Sequence, residues 1–152
     1  GFEVVYAHIL QTLISRKRGR LIATLEVGLG TRNATLVSAM TEQIGPPGGS
    51  CRAFRDYLPA NARIYGADVD PEILFQEDRI RTAHVDQLDM SSFENMTRAL
   101  GERSFDLIID DGLHALAANL NVLLWGLDHI RVGGWVVIED ISTAKAFWKF
   151  VV

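Results

Sequence analysis

The sequence is poor in the residues that mark several common classes of protein. It contains a single cysteine, Cys51, which excludes a disulfide within the chain and a metal site built from several thiolates. Such cysteine usage is typical of a reducing compartment, and we therefore expect a cytoplasmic protein. No apolar run approaches the roughly 18 residues that a membrane-spanning helix requires. We expect no membrane partner.

Positive charge is also scarce. The chain has 15 Lys and Arg residues against 19 Asp and Glu residues, which gives a net charge of −4. Nucleic acids and anionic membranes favour a basic surface, so we expect neither as the main partner. The hydrophobic fraction of 48% is ordinary for a globular protein with a proper core.

The two ends of the chain lack the usual boundary signals. The first residues contain no Met and no basic-then-apolar signal pattern, and the last five, WKFVV, are apolar and carry no breaker. The length of 152 residues is typical of one domain. We therefore expect residues 1–152 to form a single domain that is truncated at both ends. The sequence does not indicate the oligomeric state.

The hydrophobic pattern alternates between short strands and helices. We predict helices over residues 3–18, 50–58, 71–76, 91–100 and 116–130, and strands over 23–28, 63–68, 81–85, 105–109 and 135–138. Ser50 is the predicted N-cap of the second helix, and Ser91 with Glu94 forms a predicted capping box. The apolar stripe of the last helix comprises Leu116, Leu120, Leu123, Leu127 and Ile130.

Strands that alternate with helices predict βαβ units. We expect an α/β protein with a Rossmann-like, doubly wound and mostly parallel sheet covered by helices on both faces. Ligands of such folds bind at the carboxyl ends of the strands. Residues 31–49 form a long loop rich in Gly and Pro, with a helical turn or two expected within residues 35–43. This insertion is either a lid over the site or a tolerated surface loop.

Every predicted strand ends at or just beside an acidic residue. They are Glu26, Asp68, Asp86, Asp110 with Asp111, and Glu139 with Asp140. In a parallel sheet these carboxylates share one rim, where they repel each other unless cations or hydrogen-bond donors hold them. Any one of them can instead be a helix cap or a solvated loop residue. The complete set predicts a binding site at this rim.

Two glycines follow the first strand and indicate what this rim binds. Gly28 and Gly30 allow a close approach of backbone to ligand. A dinucleotide-binding loop requires a third glycine where Asn33 stands, and Glu26 would repel phosphate. The pattern therefore favours a cationic adenosine cofactor without phosphate over NAD.

Five segments, in order, resemble the motifs of class I S-adenosylmethionine-dependent methyltransferases. The segments are 25–31 (LEVGLGT), 65–70 (YGADVD), 85–87 (VDQ), 105–112 (FDLIIDDG) and 133–140 (GGWVVIED). The resemblance covers residues 21–141 and implies S-adenosylmethionine as the cofactor. It implies that Asp68 accepts hydrogen bonds from the ribose and that Asp86 lies beside the adenine amino group. The implied cofactor-binding residues are Glu26, Gly28, Gly30, Asp68, Asp86 and Asp110. The last two strands of the family's sheet have no counterpart here.

A shorter motif narrows this resemblance. Residues 110–114 (DDGLH) resemble a subgroup that contains macrolide-sugar O-methyltransferases and cephalosporin-hydroxylase-like proteins, although Leu113 replaces the usual serine. The resemblance implies that Asp110 and Asp111 bind Mg²⁺ and that His114 is the general base. Asp140, after the next strand, is a candidate third metal ligand. The implied reaction is metal-assisted O-methylation of a sugar hydroxyl on a small glycoside or glycan.

Several alternatives remain open. His114 is either a base or a residue at the start of a helix that hydrogen-bonds to Asp111. The chain is either a methyltransferase, a catalytically inactive cofactor-binding or scaffold domain, or a hydroxylase-like or NAD-linked enzyme on the same fold, because fold alone does not fix function.

Overall fold

A computed structural model of the chain describes residues 2–17, 19–37 and 45–141. Its helices are α1 (Phe2–Arg16), α2 (Gly49–Tyr57), α3 (Met90–Leu100) and α4 (Leu116–His129). Its strands are β1 (Ala23–Val27), β2 (Arg63–Asp68), β3 (Gln76–Glu77), β4 (Ile80–His84), β5 (Phe105–Asp110) and β6 (Ile130–Ile138). No helix within these ranges has both the length and the apolar character needed to cross a membrane.

The six strands form one sheet in the order β3-β4-β2-β1-β5-β6. All neighbouring pairs are parallel except β3 with β4. β1 pairs with β2 on one side and with β5 on the other, so the strand order switches direction at β1. A ligand crevice in this class of sheet lies at the carboxyl ends of the strands around such a switch.

Helices pack on both faces of the sheet, as the sequence predicts. On one face, Ile9 and Leu13 of α1 pack with Leu107 of β5. On the other, Phe93 of α3 and Trp125 of α4 are in the second cluster of buried side chains. Neighbouring β5 side chains alternate between the two clusters, because side chains along a strand point to opposite faces. The predicted Rossmann-like architecture is confirmed.

One predicted helix is wrong. Residues 71–76 contain a 3₁₀ turn at Pro71–Ile73 and the first residue of the short strand β3, which the sequence pattern does not predict. Asp70 caps this turn by accepting a hydrogen bond from the Glu72 N–H at 3.0 Å. A strand of two exposed residues has too short a pattern to be recognised from its sequence.

Both predicted serine caps are also wrong. Gly48, in a left-handed conformation with φ of 73°, occupies the N-cap of α2, and the Ser50 hydroxyl contacts Glu26 instead. Asp89 caps α3 by accepting from the Ser91 N–H at 2.9 Å. Both serines therefore lie within their helices, after the N-cap residue. The Ser50 hydroxyl is engaged by the tertiary contact with Glu26, and Asp89 provides the side-chain cap before Ser91.

The apolar stripe predicted for α4 is on the wrong side of that helix. The buried residues are Ala118, Asn119, Val122, Trp125 and Gly126, whereas Leu127 is 58% exposed. Both sides of α4 carry large apolar side chains, so the pattern does not reveal which side faces the sheet.

Some expectations lie outside the described residues. These are most of the helical turns expected at 35–43, Arg18 of the first predicted helix, and the apolar ending 148–152. The expected extent of the domain stays a prediction.

Candidate functional site

A pocket of about 460 Å³ opens at the carboxyl ends of β1, β2, β4, β5 and β6. Seven of the residues predicted to form the site line it: Gly28, Gly30, Asp68, Asp86, Asp111, His114 and Asp140. The other two, Glu26 and Asp110, are buried beside it and do not line it. The fold therefore brings most of the predicted rim together in one cavity.

The loop after β1 is shaped by two glycines. Gly28 and Gly30 have φ values of 101° and 84°, a left-handed region that favours glycine. A Cβ atom on Gly28 would lie 2.2 Å from the backbone oxygen of Asp111. Glycine at this position therefore allows the loop after β1 to touch the loop after β5.

Asp68 is held as a hydrogen-bond acceptor at the edge of the pocket. One oxygen accepts from the Leu29 N–H at 2.7 Å and the other from the Asp70 N–H at 2.9 Å. Asp70 in turn accepts a short hydrogen bond from the Thr31 hydroxyl. These bonds fix the Asp68 carboxylate, and each oxygen retains a lone pair for a ligand hydroxyl.

Asp86 follows β4 on the other side of the pocket. Its carboxylate accepts from the Leu88 N–H at 2.9 Å, and its own N–H donates to the Ser92 hydroxyl oxygen at 3.0 Å. The loop that carries Asp86 is thereby tied to the start of α3. Val85 and Leu88 add apolar surface to the same wall of the pocket.

Glu26 lies behind the pocket wall, where Ser50 and Cys51 of α2 contact its carboxylate. Burial raises the pKa of Glu26 to about 7, although the Ser50 hydrogen bond opposes this shift. Asp111 and Glu139 raise the pKa further because their charges are of the same sign. The raised pKa of Glu26 thus reflects both its burial and the carboxylates that gather at the rim.

Asp110 points into the protein. It is fully buried, and its oxygens accept from Gln87 Nε2 at 2.6 Å and Asn119 Nδ2 at 2.7 Å. Burial raises the pKa of Asp110, while these two amide hydrogen bonds lower it. The structure does not bring this carboxylate together with Asp111 and Asp140, so the predicted metal role of Asp110 has no support in the geometry.

Asp111, His114 and Asp140 converge at the rim. One potential ligand atom from each lies within 4.8 Å of the others. His114 Nε2 lies 3.8 Å from Asp111 Oδ1 and 3.9 Å from Asp140 Oδ2. Both His114 and Asp140 have φ of 45°, a conformation that is uncommon outside glycine and that concentrates at functional sites.

The electrostatics of this group favour a cation. Burial first, and then the neighbouring Glu139, raise the pKa of Asp111 to about 6, while His114 lowers it. Within the described part of the chain, His114 is the only basic side chain in ion-pair range of Asp111 or Asp140. Oxygen ligands from carboxylates are the set that Mg²⁺ prefers, so Asp111 and Asp140 fit a magnesium site.

Some residues of the site received no individual role from the sequence. Glu139 lines the pocket and accepts a short hydrogen bond from the Tyr6 hydroxyl of α1. Burial and the Glu139 carboxylate raise the pKa of Tyr6 above its ordinary value. Glu139 was visible as a strand-end acid and Gln87 as part of a motif. No signal in the sequence connects Tyr6 to residues more than 100 positions away.

Comparisons with known proteins agree with this geometry. The family described as Methyltransferase domain matches residues 43–141. Mycinamicin VI 2''-O-methyltransferase of Micromonospora griseorubida is 38% identical over 101 residues, which are 66% of this chain and 24% of the relative. The 8-demethyl-8-(2-methoxy-alpha-L-rhamnosyl)-tetracenomycin-C 3'-O-methyltransferase of Streptomyces olivaceus is 32% identical over 143 residues, which are 94% of this chain and 33% of the relative.

A solved structure is similar over nearly the whole chain. The MycE methyltransferase from the mycinamycin biosynthetic pathway, in complex with Mg and SAH, matches with a TM-score of 0.71 and 28% identity, over 98% of this chain and 36% of that one. The chain thus spans only 24% to 36% of the length of these three relatives. The family match covers well over half of the chain and confirms the resemblance seen in the motifs. The chain belongs to the methyltransferase-domain family.

Proposed function

We propose that this chain is the cofactor-binding core of an S-adenosylmethionine-dependent O-methyltransferase that methylates a sugar hydroxyl of a small glycoside or glycan. One observation carries the proposal. Asp111, His114 and Asp140 line the same pocket as Gly28, at which a side chain would collide with the Asp111 backbone. The names of the sugar O-methyltransferase relatives supply the substrate class. A single buried cysteine suits the cytoplasmic location that we propose with it.

The cofactor would occupy the β1–β2–β4 side of the pocket. The prearranged carboxylate of Asp68 suits the two hydroxyls of a ribose, and Asp86 with Leu88 suits an adenine ring. The left-handed loop at Gly28 and Gly30 leaves room for the amino-acid end of the cofactor. The nearby Glu26 disfavours a pyrophosphate, which agrees with a sulfonium cofactor rather than NAD.

The β5–β6 side of the pocket would hold the metal and the acceptor. Asp111 and Asp140 are the proposed ligands, and Glu139 beside them adds negative charge. Of the three metal ligands first predicted, the proposal keeps Asp111 and Asp140 and leaves out Asp110, whose carboxylate accepts hydrogen bonds from Gln87 and Asn119. When bound, Mg²⁺ lowers the pKa of a hydroxyl placed against it.

His114 is the proposed general base. Nε2 faces the carboxylates and would accept the proton of the acceptor hydroxyl. The hydroxyl oxygen then forms a bond to the methyl carbon while the bond between that carbon and the sulfonium sulfur breaks. The products are a methyl ether and S-adenosylhomocysteine, and the proton remains on His114. Positioning inside the pocket is the main contribution of the protein.

Calorimetric titration of the chain tests the cofactor and metal together. S-adenosylhomocysteine and NAD are each titrated with and without Mg²⁺. We expect binding of S-adenosylhomocysteine under both conditions, no binding of NAD, and a separate Mg²⁺ site that Asp111→Asn abolishes. Binding of NAD alone would favour a dehydrogenase on this fold. Cofactor binding without methyl transfer to any glycoside would favour a scaffold.

Chelation separates the two sides of the pocket. In a preparation that transfers methyl groups, chelation should abolish transfer without abolishing the binding of S-adenosylhomocysteine, because the proposed cofactor contacts lie on β1, β2 and β4. Full activity in the chelated protein would refute the metal role.

A further inference from the structure

Gln87 lies between the two sides of the pocket. It is buried, and its amide group uses both ends: Nε2 donates to Asp110 Oδ1 at 2.6 Å, and Oε1 accepts from the Leu113 N–H at 2.8 Å. Gln87 directly follows Asp86, in the loop proposed to hold the adenine. Leu113 is in the loop that carries Asp111 and His114. One side chain therefore joins the cofactor loop to the catalytic loop.

The surroundings of Gln87 fix it in this position. Its backbone oxygen accepts from Asn121 Nδ2 at 2.8 Å, which ties it to α4. Asn119 of the same helix holds the second oxygen of Asp110. A Cβ atom on Gly112 would lie 2.0 Å from Gln87 Oε1, so glycine at 112 leaves the space in which the amide lies. A residue that only filled the core would need neither the paired amide contacts nor this cleared space.

We infer that Gln87 is a positioning residue that couples occupancy of the cofactor pocket to the arrangement of residues 111–114. A cofactor that orders residues 85–88 also fixes the Gln87 amide, and the amide then holds the Leu113 backbone and Asp110. Two sites joined through one shared contact strengthen each other's binding, and the effect is reciprocal. The inference rests on the proposed function because the ligand that orders the loop is the proposed cofactor.

The Leu113 N–H gives a direct readout. Its hydrogen–deuterium exchange, measured by NMR in the whole chain, reports the bond to Gln87. We expect S-adenosylhomocysteine to slow this exchange at least fivefold in the unaltered protein and less than twofold in Gln87→Met, which keeps the length of the side chain and removes the amide. Gln76→Met is the matched control. That glutamine is exposed on β3, and its Nε2 donates to the Thr82 carbonyl away from the pocket.

The second readout is the coupling between ligands. Mg²⁺ should bind at least fivefold more tightly in the presence of S-adenosylhomocysteine, and Gln87→Met should reduce this factor to below two. Gln87→Asn, whose shorter amide cannot reach both partners, should behave like Gln87→Met. It takes that variant's place if the methionine protein does not fold by circular dichroism.

The outcomes separate the two proposals. If S-adenosylhomocysteine binds but leaves Leu113 exchange unchanged in the unaltered protein, the inference is wrong and the proposed function stands. If Gln87→Met retains the full protection, the inference is also wrong. Absence of cofactor binding in the unaltered protein would overturn the proposed function and the inference with it.

Discussion

An aspartate lies at each end of β5, and the two differ in burial and in the charges that surround them. At the amino end, Asp106 is 1% exposed. Its oxygens lie 2.8 Å from Lys17 Nζ and 2.8 Å from Arg131 Nη1, and one of them accepts from the Ala23 N–H at 2.9 Å. This acid is compensated by two cations and ties α1, β1, β5 and β6 together.

At the carboxyl end, Asp111 receives no such compensation. Within the described residues its ion-pair partner is His114 at 3.8 Å, and the carboxylates of Glu139, Asp140 and Asp110 raise its pKa. One end of the strand is thus electrostatically complete and the other is not. A half-buried carboxylate among like charges is unfavourable, which supports the ligand proposed for this end of the strand.

The largest effect should come from His114, beside Asp111 at the carboxyl end of β5. His114→Ala should reduce turnover roughly 10²–10⁴-fold, because a general base contributes a factor of this size. We expect the affinity for S-adenosylhomocysteine to stay within twofold. Methyl transfer from labelled S-adenosylmethionine to a glycoside measures the effect. His84→Ala, an exposed histidine at the end of β4, is the control. Turnover that is unchanged in His114→Ala would return this histidine to a structural role.

The next effect concerns stability against pH. The pKa of Glu26 rises from 4.5 in the unfolded chain to about 7 in the folded protein. Its contribution is therefore complete below pH 4.5 and is lost as the pH rises through 7. Between these limits the unfolding free energy should fall by about 3 kcal/mol more in the unaltered protein than in Glu26→Gln.

Denaturant unfolding over this pH range checks that prediction. The exposed Glu72→Gln should give a curve parallel to that of the unaltered protein. A pH dependence of Glu26→Gln that matches the unaltered protein would show that Glu26 titrates normally.

Removal of the Asp106 charge at the amino end of β5 should lower the stability of the fold and leave the pocket intact. Asp106→Asn should lower the unfolding free energy by roughly 2–3 kcal/mol, less than for a fully buried pair because Lys17 and Arg131 reach solvent. Glu94→Gln, which removes an exposed ion pair with Arg103, should cost less than about 1 kcal/mol. Weakened cofactor binding in Asp106→Asn would contradict the division between the two ends.

The smallest effect concerns Asp68, on the proposed cofactor side of the pocket. Asp68→Ala should weaken S-adenosylhomocysteine binding by roughly 1.5–3 kcal/mol, the range for hydrogen bonds to a charged group. Asp56→Ala, on an exposed surface of α2, is the control for charge. Calorimetry measures both variants, and equal affinities would refute the assignment of Asp68 to the ribose.

The sequence was sufficient to predict five of the six strands because most of them contain apolar runs that end at or beside an acid. The order of the motifs then places Gly28, Asp68 and His114 at one rim. These positions depend on strand ends, which the period of the pattern determines. The predicted fold class and the family resemblance are both confirmed.

Other features depend on packing that the local pattern does not contain. α4 has apolar side chains on two sides, so only contact with the sheet decides that Val122 and Trp125 are buried. Asp110 and Asp111 are adjacent, and nothing local shows that the first points inward to Asn119 while the second faces the pocket. The contact of Tyr6 with Glu139 joins the two ends of the described chain. Such contacts follow only from the folded structure.

The glycine at position 28 also limits which substitutions this protein can accept. Gly28 touches the Asp111 backbone, so any larger residue would push the loop after β1 and the loop after β5 apart. On the proposed function, new acceptor specificities can therefore arise by exchange of residues that border the cavity and have no proposed role, such as Leu36 and Val37, while the spacing between the proposed methyl donor and base stays constant. A library intended to change the substrate range should vary these two positions and leave residue 28 alone.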